Sequence, residues 1–290
     1  MTAPLRLATR GSRLARWQAS WVASQLGGDA TLVIVETAGD RRADVPLSEI
    51  GGQGVFVKEV QAAVLEGRAD AAVHSAKDLP AVTPHGLCLA ALGEREDPRD
   101  ALVGSTLDAI SQGGVVATGS ARRRALLAER RPDLTFAELR GNIATRLDKA
   151  AGFDAVVVAV AALRRLGLAD RIAEALDPTW FVPQVGQGAI AVECRAGDSP
   201  VLARLAAVDH APTRRAVTAE RAFLATLGGG CTLPVGAYAT VGDDGTVTLR
   251  AVLASTDFSR VARRTESGDD PSALGARVAE SLLADVPGAG

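Results

Sequence analysis

Lysine is nearly missing from this chain: Lys58, Lys77 and Lys149 stand against 29 arginines. Aromatic residues are also scarce, at 3% of 290 positions, and no charge dominates, the net value being -2. A nucleic-acid-binding surface needs positive charge and stacking platforms, so no nucleic-acid partner is expected. No apolar run approaches the roughly 20 residues that span a bilayer, and Met1 to Ser12 lacks the apolar segment of a secretory signal. A cytoplasmic location without a membrane partner is expected. The early cluster Arg6, Arg10, Arg13 and Arg16, with no acid before Asp29, would also suit a transit peptide. Against that, Leu5 to Ala8 reads as a strand feeding a helix from Ser12, which makes these residues part of the fold. Cysteine is limited to Cys88, Cys194 and Cys231, far apart and with neither a CxxC pair nor a histidine cluster. Metal binding and a disulfide framework are therefore not expected, and any cysteine chemistry should involve one residue alone.

What is present is ordinary globular material, 47% apolar and 23% charged. Single cores stop growing near 250–300 residues, so two or three domains are expected, in a monomer. Short apolar strands alternate with helical patterns: Leu5 to Ala8, helix Ser12 to Leu26, strand Thr31 to Thr37, helix Val57 to Leu65, strand Ala69 to His74. After the polar segment Glu94 to Arg99 the alternation resumes with strands at Ala101 to Val103, Val115 to Thr118, Leu134 to Glu138 and Ala155 to Val160, and helices from Ser120 and Asn142. The apolar strand Ala189 to Glu193 follows a Pro/Gly-rich loop and is expected to return to the first sheet. From Thr213 one helix precedes close-set strands around Asp243-Asp244-Gly245 and a last helix from Pro271, the pattern of a small antiparallel α+β unit. The fold class is α/β in three domains: 1–94 with 189–208, then 97–186, then 211–290.

Two glycine-rich stretches carry no nucleotide signature. Gly186-Gln187-Gly188-Ala189-Ile190-Ala191 has the letters of a dinucleotide motif, but a loop precedes it and a strand follows, the reverse of what the motif needs. Gly51-Gly52-Gln53-Gly54 lacks the Gly-Lys-Ser/Thr ending of a phosphate loop and reads as a flexible loop or lid. The strand ending at His74 is more telling, because it discharges into Ser75, Lys77, Asp78 and Pro80 where parallel strands meet ligands. Asp78 and Lys77 either cap a turn before Pro80 or face a ligand. Arginine recurs beyond the next strands, in Thr118-Gly119-Ser120-Ala121-Arg122-Arg123-Arg124, in Leu139-Arg140-Gly141-Asn142 through Arg146, and in Arg164-Arg165. Such positions are either solvated charges or binders of a carboxylate- or phosphate-rich ligand. Gly228-Gly229-Gly230-Cys231-Thr232 sets a thiol on a loop whose glycines allow a bulky group close to the backbone, so Cys231 is an attachment point, a nucleophile or a small buried hydrophobe. A Cys-His hydrolase would need a partner among His74, His85 and His210, none of which stands in a protease signature.

Together these stretches resemble the porphobilinogen deaminase family over nearly the whole chain: Thr9-Arg10-Gly11-Ser12 with Trp17-Gln18, Val55 to Glu59, Asp70 to Pro80, Arg95 to Ala101, Leu139 to Leu147, Val185 to Ala189 and Gly229 to Gly236. The resemblance implies a three-domain fold whose first two domains look like a type II periplasmic-binding protein. It implies a hydroxymethylbilane synthase, a transferase joining four porphobilinogen units head to tail with loss of ammonia, then releasing the linear tetrapyrrole by hydrolysis. The implied cofactor is a dipyrromethane held by a thioether to Cys231, an anchor for one end of the growing oligopyrrole.

Loss of ammonia leaves an electron-poor azafulvenium, and the attacking pyrrole becomes cationic before it loses its proton, so a fixed carboxylate should stabilise both. Asp78 matches the family's catalytic aspartate, and Arg10 is implied to assist by charge and positioning. Each pyrrole brings an acetate and a propionate. By resemblance Ser75, Lys77, Asp78, Thr118, Ser120, Arg122, Arg123, Arg140 and Arg146 hold the cofactor, while Arg10, Ser12, Gln18, Arg140, Arg146, Arg165 and Gln187 hold substrate. No metal is implied. Two departures stand out: Gln53 replaces the lysine common in the glycine loop, and Gly119 and Ala121 replace a serine and a leucine. The rival from another class is a non-enzymatic receptor for a small carboxylate ligand, which an arginine-lined cleft would also suit.

Overall fold

A computed structural model describes residues 3–41, 54, 56–228 and 233–286. The chain forms two compact units, Met1–Glu96 with Ala189–Arg214, and Asp97–Gly188 with Arg215–Gly290. In the first, five strands lie in the order β2-β1-β3-β10-β4. These are β1 (Leu5–Arg10), β2 (Ala30–Val35), β3 (Ala71–Ser75), β4 (Leu87–Leu92) and β10 (Ile190–Arg195). β1 runs parallel to β2 and β3, whereas β10 lies antiparallel between β3 and β4. The late strand thus returns to the first sheet, as its apolar run suggests.

Both faces of this sheet are covered. Ser12 caps helix α1 (Arg13–Gln25) by accepting from the Ala15 N–H, and Gln18, Ala19 and Val22 recur on its buried side. Ala19 and Val22 pack with Leu5, Leu7, Val73 and Val192. Helix α2 (Lys58–Leu65) sets Val60, Ala63 and Val64 against Ala8, Ala72 and Leu87 on the opposite face.

The second unit repeats that strand order with different segments. β5 (Asp100–Val103), β6 (Val115–Ala117), β7 (Thr135–Ala137), β8 (Ala155–Ala159) and β9 (Glu174–Ala175) lie as β7-β6-β8-β5-β9. β6 is parallel to β7 and β8, and β5 is antiparallel to β8 and β9. β8 is buried at every position, which is why it reads as an unbroken Ala-Val-Val-Val-Ala run. Ser120 caps α3 (Ala121–Arg130) and Asn142 caps α4 (Ile143–Asp148).

The same unit contains the antiparallel sheet β11-β12-β13 (Val235–Val241, Val247–Ala254, Val261–Gly268). Helices α7 (Ala211–Thr226) and α8 (Pro271–Asp285) accompany it, with Phe223, Leu249, Leu253, Val278 and Leu282 in a shared core. The two helices approach closely at Gly275, where a Cβ would stand 2.3 Å from the Ala219 carbonyl oxygen.

Among the described residues, sequence reasoning passed over β4, β9, the short helix Ala38–Arg41, α5 (Val160–Arg165) and α6 (Ser199–Leu205). β4 is a mixed Leu-Cys-Leu-Ala-Ala-Leu run without two-residue alternation, and α5 continues the apolar run of β8, so neither periodicity marks it.

Candidate functional site

The parallel pairing of β1 and β3 brings their carboxyl ends to one edge of the first sheet. Arg10 ends β1 and Ser12 follows it; Ser75 ends β3 and is followed by a single 3-10 turn, Ala76–Asp78. Leu79 N–H closes that turn on the Ala76 carbonyl at 3.2 Å, and Ala76 N–H is held by the Ala189 carbonyl at 3.0 Å. Pro80 has no N–H with which to continue it.

The side chains at this edge fall into two sets. Gln18 is buried and exchanges hydrogen bonds with Ser75, its Nε2 donating to Oγ at 2.9 Å and its Oε1 lying 3.2 Å from the same hydroxyl. Ser12 engages the α1 cap, and the Arg10 guanidinium lies over the Phe56 ring at 4.2 Å. Asp78 differs: half-buried, it makes no hydrogen bond or ion pair among the described residues. A carboxylate so placed is open to a cationic or N–H-bearing ligand. Lys77 beside it is half-buried.

On the other face of β3, His74 Nε2 lies 3.3 Å from Glu193 Oε2, and Gln61 Nε2 donates to that oxygen at 2.8 Å. All three side chains are buried.

In the second unit the arginines divide by burial. Arg122 donates from Nη2 to Asp100 Oδ2 at 2.6 Å and from Nη1 to the Val182 carbonyl at 2.7 Å. Arg123 donates from Nε and Nη2 to Asp100 Oδ1 at 3.1 and 2.6 Å, and from Nη1 to the Val157 carbonyl at 2.8 Å. Gln187 Nε2 reaches the same Oδ1 at 3.0 Å and the Pro98 carbonyl at 2.8 Å. Asp100 is fully buried on β5. Burial lowers the Arg122 pKa from its ordinary value, and the facing Asp100 carboxylate opposes that shift. Arg165, also buried, donates to the Gly188 carbonyl at 2.6 Å. Asp100 thus organises three candidate binders; sequence reasoning quoted it within a motif but gave it no role.

Arg140 and Arg146 are half-buried instead. Arg146 Nε donates to the Gly141 carbonyl at 2.9 Å. Arg140 lies 3.8 Å from Glu138, and its Nε is buried without a hydrogen-bond partner among the described residues. An unsatisfied guanidinium N–H is what an incoming carboxylate would complete. Thr118 and Ser120 stand where β6 enters α3; the Thr118 Oγ1 accepts from Ser120 N–H at 3.2 Å and the Ser120 Oγ from Arg123 N–H at 3.4 Å.

Glu220 escaped sequence reasoning altogether. Buried in α7, it accepts from Gly186 N–H at 2.7 Å and Ala239 N–H at 2.8 Å, tying the 184–188 loop to β11. Cys231 and Gln53 lie outside the described residues. Cys88 and Cys194 require a correction: their Sγ atoms are 3.7 Å apart, because antiparallel pairing of β4 with β10 cancels their separation in sequence. Their distance in sequence is therefore not a distance in space, although both remain free thiols. No cluster of three or more metal-ligating side chains occurs among the described residues, and no described helix is long and apolar enough to cross a membrane.

Comparison with known proteins bears on these groups. Residues 5–203 match the family described as "Porphobilinogen deaminase, dipyromethane cofactor binding domain", and residues 214–284 match "Porphobilinogen deaminase, C-terminal domain". A porphobilinogen deaminase of Brevibacillus brevis (strain 47 / JCM 6285 / NBRC 100599) is 46% identical over 293 residues, covering 98% of this chain and 95% of that protein. Among solved structures, the lipoprotein Tp32 of Treponema pallidum is 15% identical over 71% of this chain and 90% of its own, with a TM-score of 0.45. A putative methionine-binding lipoprotein of Bacillus subtilis subsp. subtilis str. 168 is 13% identical over the same shares, with a TM-score of 0.43. The architecture itself stands on the strand orders given above.

Proposed function

Because this chain belongs to the porphobilinogen deaminase family, we propose that its hydroxymethylbilane synthase activity runs on Asp78, with Arg10 assisting through charge and position. The observation that carries this reading is a half-buried carboxylate at a strand end with no hydrogen-bond or ion-pair partner among the described residues. Positive charge develops on a pyrrole when ammonia departs and again when a new carbon–carbon bond forms. A fixed Asp78 carboxylate stabilises both states while accepting from pyrrole N–H groups. The Arg10 guanidinium is too weak an acid to give up a proton usefully, so it acts by electrostatics.

The described donors suit a dipyrromethane, whose edges are carboxylates and whose centre is N–H. Arg140, with its unsatisfied Nε, and Arg146 are the binders for acetate and propionate groups of cofactor and substrate. Thr118 and Ser120 add hydroxyls, Ser75 and Lys77 flank Asp78, and Ser12 adds a hydroxyl near Arg10. Gln18 acts through Ser75. Arg122, Arg123, Arg165 and Gln187 bind the same ligands from positions fixed by Asp100 and backbone carbonyls, the three arginines adding positive potential even where their N–H groups are occupied. When bound, the dipyrromethane supplies the pyrrole carbon from which the chain grows.

Region 211–290 is assigned as the bearer of that cofactor through a thioether at Cys231, with 1–94 and 189–208 carrying Asp78 and 97–186 carrying the arginines. The remaining assignments are a cytoplasmic monomer that takes porphobilinogen and the growing oligopyrrole, with no nucleic acid, membrane or metal.

Intact mass and Ehrlich staining test the anchor: wild-type protein carries a covalent dipyrrole, and Cys231→Ser carries none. A bare Cys231 thiol in fully active protein would falsify the assignment. Asp78→Ala, folded and loaded, should consume almost no porphobilinogen; wild-type rates would remove Asp78 from the mechanism.

A further inference from the structure

The Cys88–Cys194 pair belongs to no step of the reaction. In the first unit their Cα atoms are register partners on adjacent antiparallel strands, and their sulfurs are 3.7 Å apart. Both Sγ atoms also approach one acceptor, the Arg195 carbonyl oxygen, at 3.9 and 3.5 Å, so both thiols sit on the same side of the ladder. A disulfide bond is about 2.0 Å long and needs Cβ atoms about 3.5–4.5 Å apart, only slightly closer than directly opposed residues on neighbouring strands. A displacement of less than about 2 Å therefore separates the contact from the bond.

The two thiols differ in access. Cys88 is half-buried, whereas Cys194 is fully enclosed by the core under α1 and α6. Burial pushes the Cys194 thiol up to about 12, reinforced by the neighbouring Cys88 sulfur. An oxidant from solvent meets Cys88 first.

We propose that Cys88 and Cys194 form a reversible oxidation site, a dithiol that peroxides convert into a cross-strand disulfide within one chain. In the first step the Cys88 sulfur attacks the peroxide O–O bond, giving a sulfenic acid and, from hydrogen peroxide, one water; the sulfur loses two electrons and the peroxide gains them. In the second step the Cys194 sulfur displaces hydroxide from the Cys88 sulfur, and its own proton leaves with that hydroxide as a second water. A dithiol reductant returns both thiols by exchange. The weak acidity of Cys194 makes the second step slow at neutral pH and disfavours the thiolate that reduction must release. The site therefore records sustained peroxide exposure rather than cycling rapidly. The bridge would fasten β4 to β10, the two strands that flank the whole of Asp97–Gly188 in sequence.

The test uses the cofactor-loaded protein treated with hydrogen peroxide, with intact mass and non-reducing peptide mapping as readouts. The expected product is monomeric, lighter by two hydrogens, and yields one linked peptide pair containing Cys88 and Cys194; a dithiol reductant restores the original mass. Cys88→Ser, which keeps its turnover of porphobilinogen, should not lose the two hydrogens. In Cys194→Ala, Cys88 should gain oxygen instead of forming the bridge. The proposal is overturned if Cys88 gains oxygen in the wild type while Cys194 remains alkylatable after unfolding. A link joining Cys88 residues of two chains would overturn it equally.

Discussion

Asp100 Oδ1 accepts two hydrogen bonds from a single guanidinium, Arg123 Nη2 at 2.6 Å and Nε at 3.1 Å, inside the core of the second unit. Its other oxygen serves Arg122 at 2.6 Å. Two buried cations therefore depend on one carboxylate, and deleting its charge leaves both uncompensated. Asp100→Asn should destabilise the protein by about 3–5 kcal/mol, seen as a lower denaturant midpoint. Because Gln187 also leans on Asp100, the variant should bind porphobilinogen more weakly even at temperatures where it stays folded.

Asp78→Asn keeps the shape of the side chain and removes the charge. Since Asp78 makes no internal hydrogen bond or ion pair among the described residues, the melting temperature should barely move. Turnover should fall by about 10²–10³-fold, the scale set by losing one preorganised electrostatic group, with KM much less affected. Steady-state kinetics on loaded protein would separate this from a binding defect, which would raise KM at unchanged kcat.

The contrast between Asp78 and Asp100 also marks what the sequence makes legible. The α/β grammar was readable because buried strands such as β8 are continuous apolar runs and because Ser12, Ser120 and Asn142 announce their helices. Asp78 was readable as a polar residue discharged from an apolar strand. Asp100 lies inside a strand, and what makes it important is the approach of Arg122 and Arg123 from another element, which no spacing encodes. The same holds for Glu220, whose partners are backbone N–H groups, and for Cys88 and Cys194, whose proximity exists only once β10 lies beside β4. Arg122 and Arg123 were readable as cations but not as buried ones, because a helix N-terminus looks the same in sequence whether solvent or a carboxylate faces it.

Asp70 gives a prediction in pH. Its carboxylate accepts from Arg6 backbone N–H at 2.8 Å, Nε at 3.2 Å and Nη2 at 2.8 Å. The side-chain hydrogen bonds from Arg6 hold its pKa below the usual 3.8, against the opposing effect of burial. A depressed carboxylate pKa contributes stability that is complete above the unfolded value and is lost as pH falls through the folded one. Asp70→Asn should be less stable than wild type at neutral pH, and the gap should close as pH falls below 3.8. Urea titrations across that interval would show the convergence; a gap that persists or widens in acid would contradict the assignment.

Gly275 tests the packing of α8 on α7. A methyl group there would meet the Ala219 carbonyl at 2.3 Å and the Phe223 N at 2.7 Å, both backbone atoms. Gly275→Ala should therefore destabilise the protein by about 1–3 kcal/mol, despite the better helix propensity of alanine. Thermal unfolding of the variant would measure it; a neutral or stabilising result would mean that the helices can separate at little cost.

The place of β10 within the first sheet has a consequence for how the protein is made. A ribosome delivers β1 to β4 long before Ile190–Arg195 emerges, and until then β3 and β4 lack the strand that belongs between them. Unpaired strand edges invite association with other chains. The nascent chain therefore exposes an edge of β3 and leaves β4, the outer strand beside β10, unpaired throughout translation of Asp97–Gly188, and truncations ending before residue 190 should aggregate where the full-length product does not.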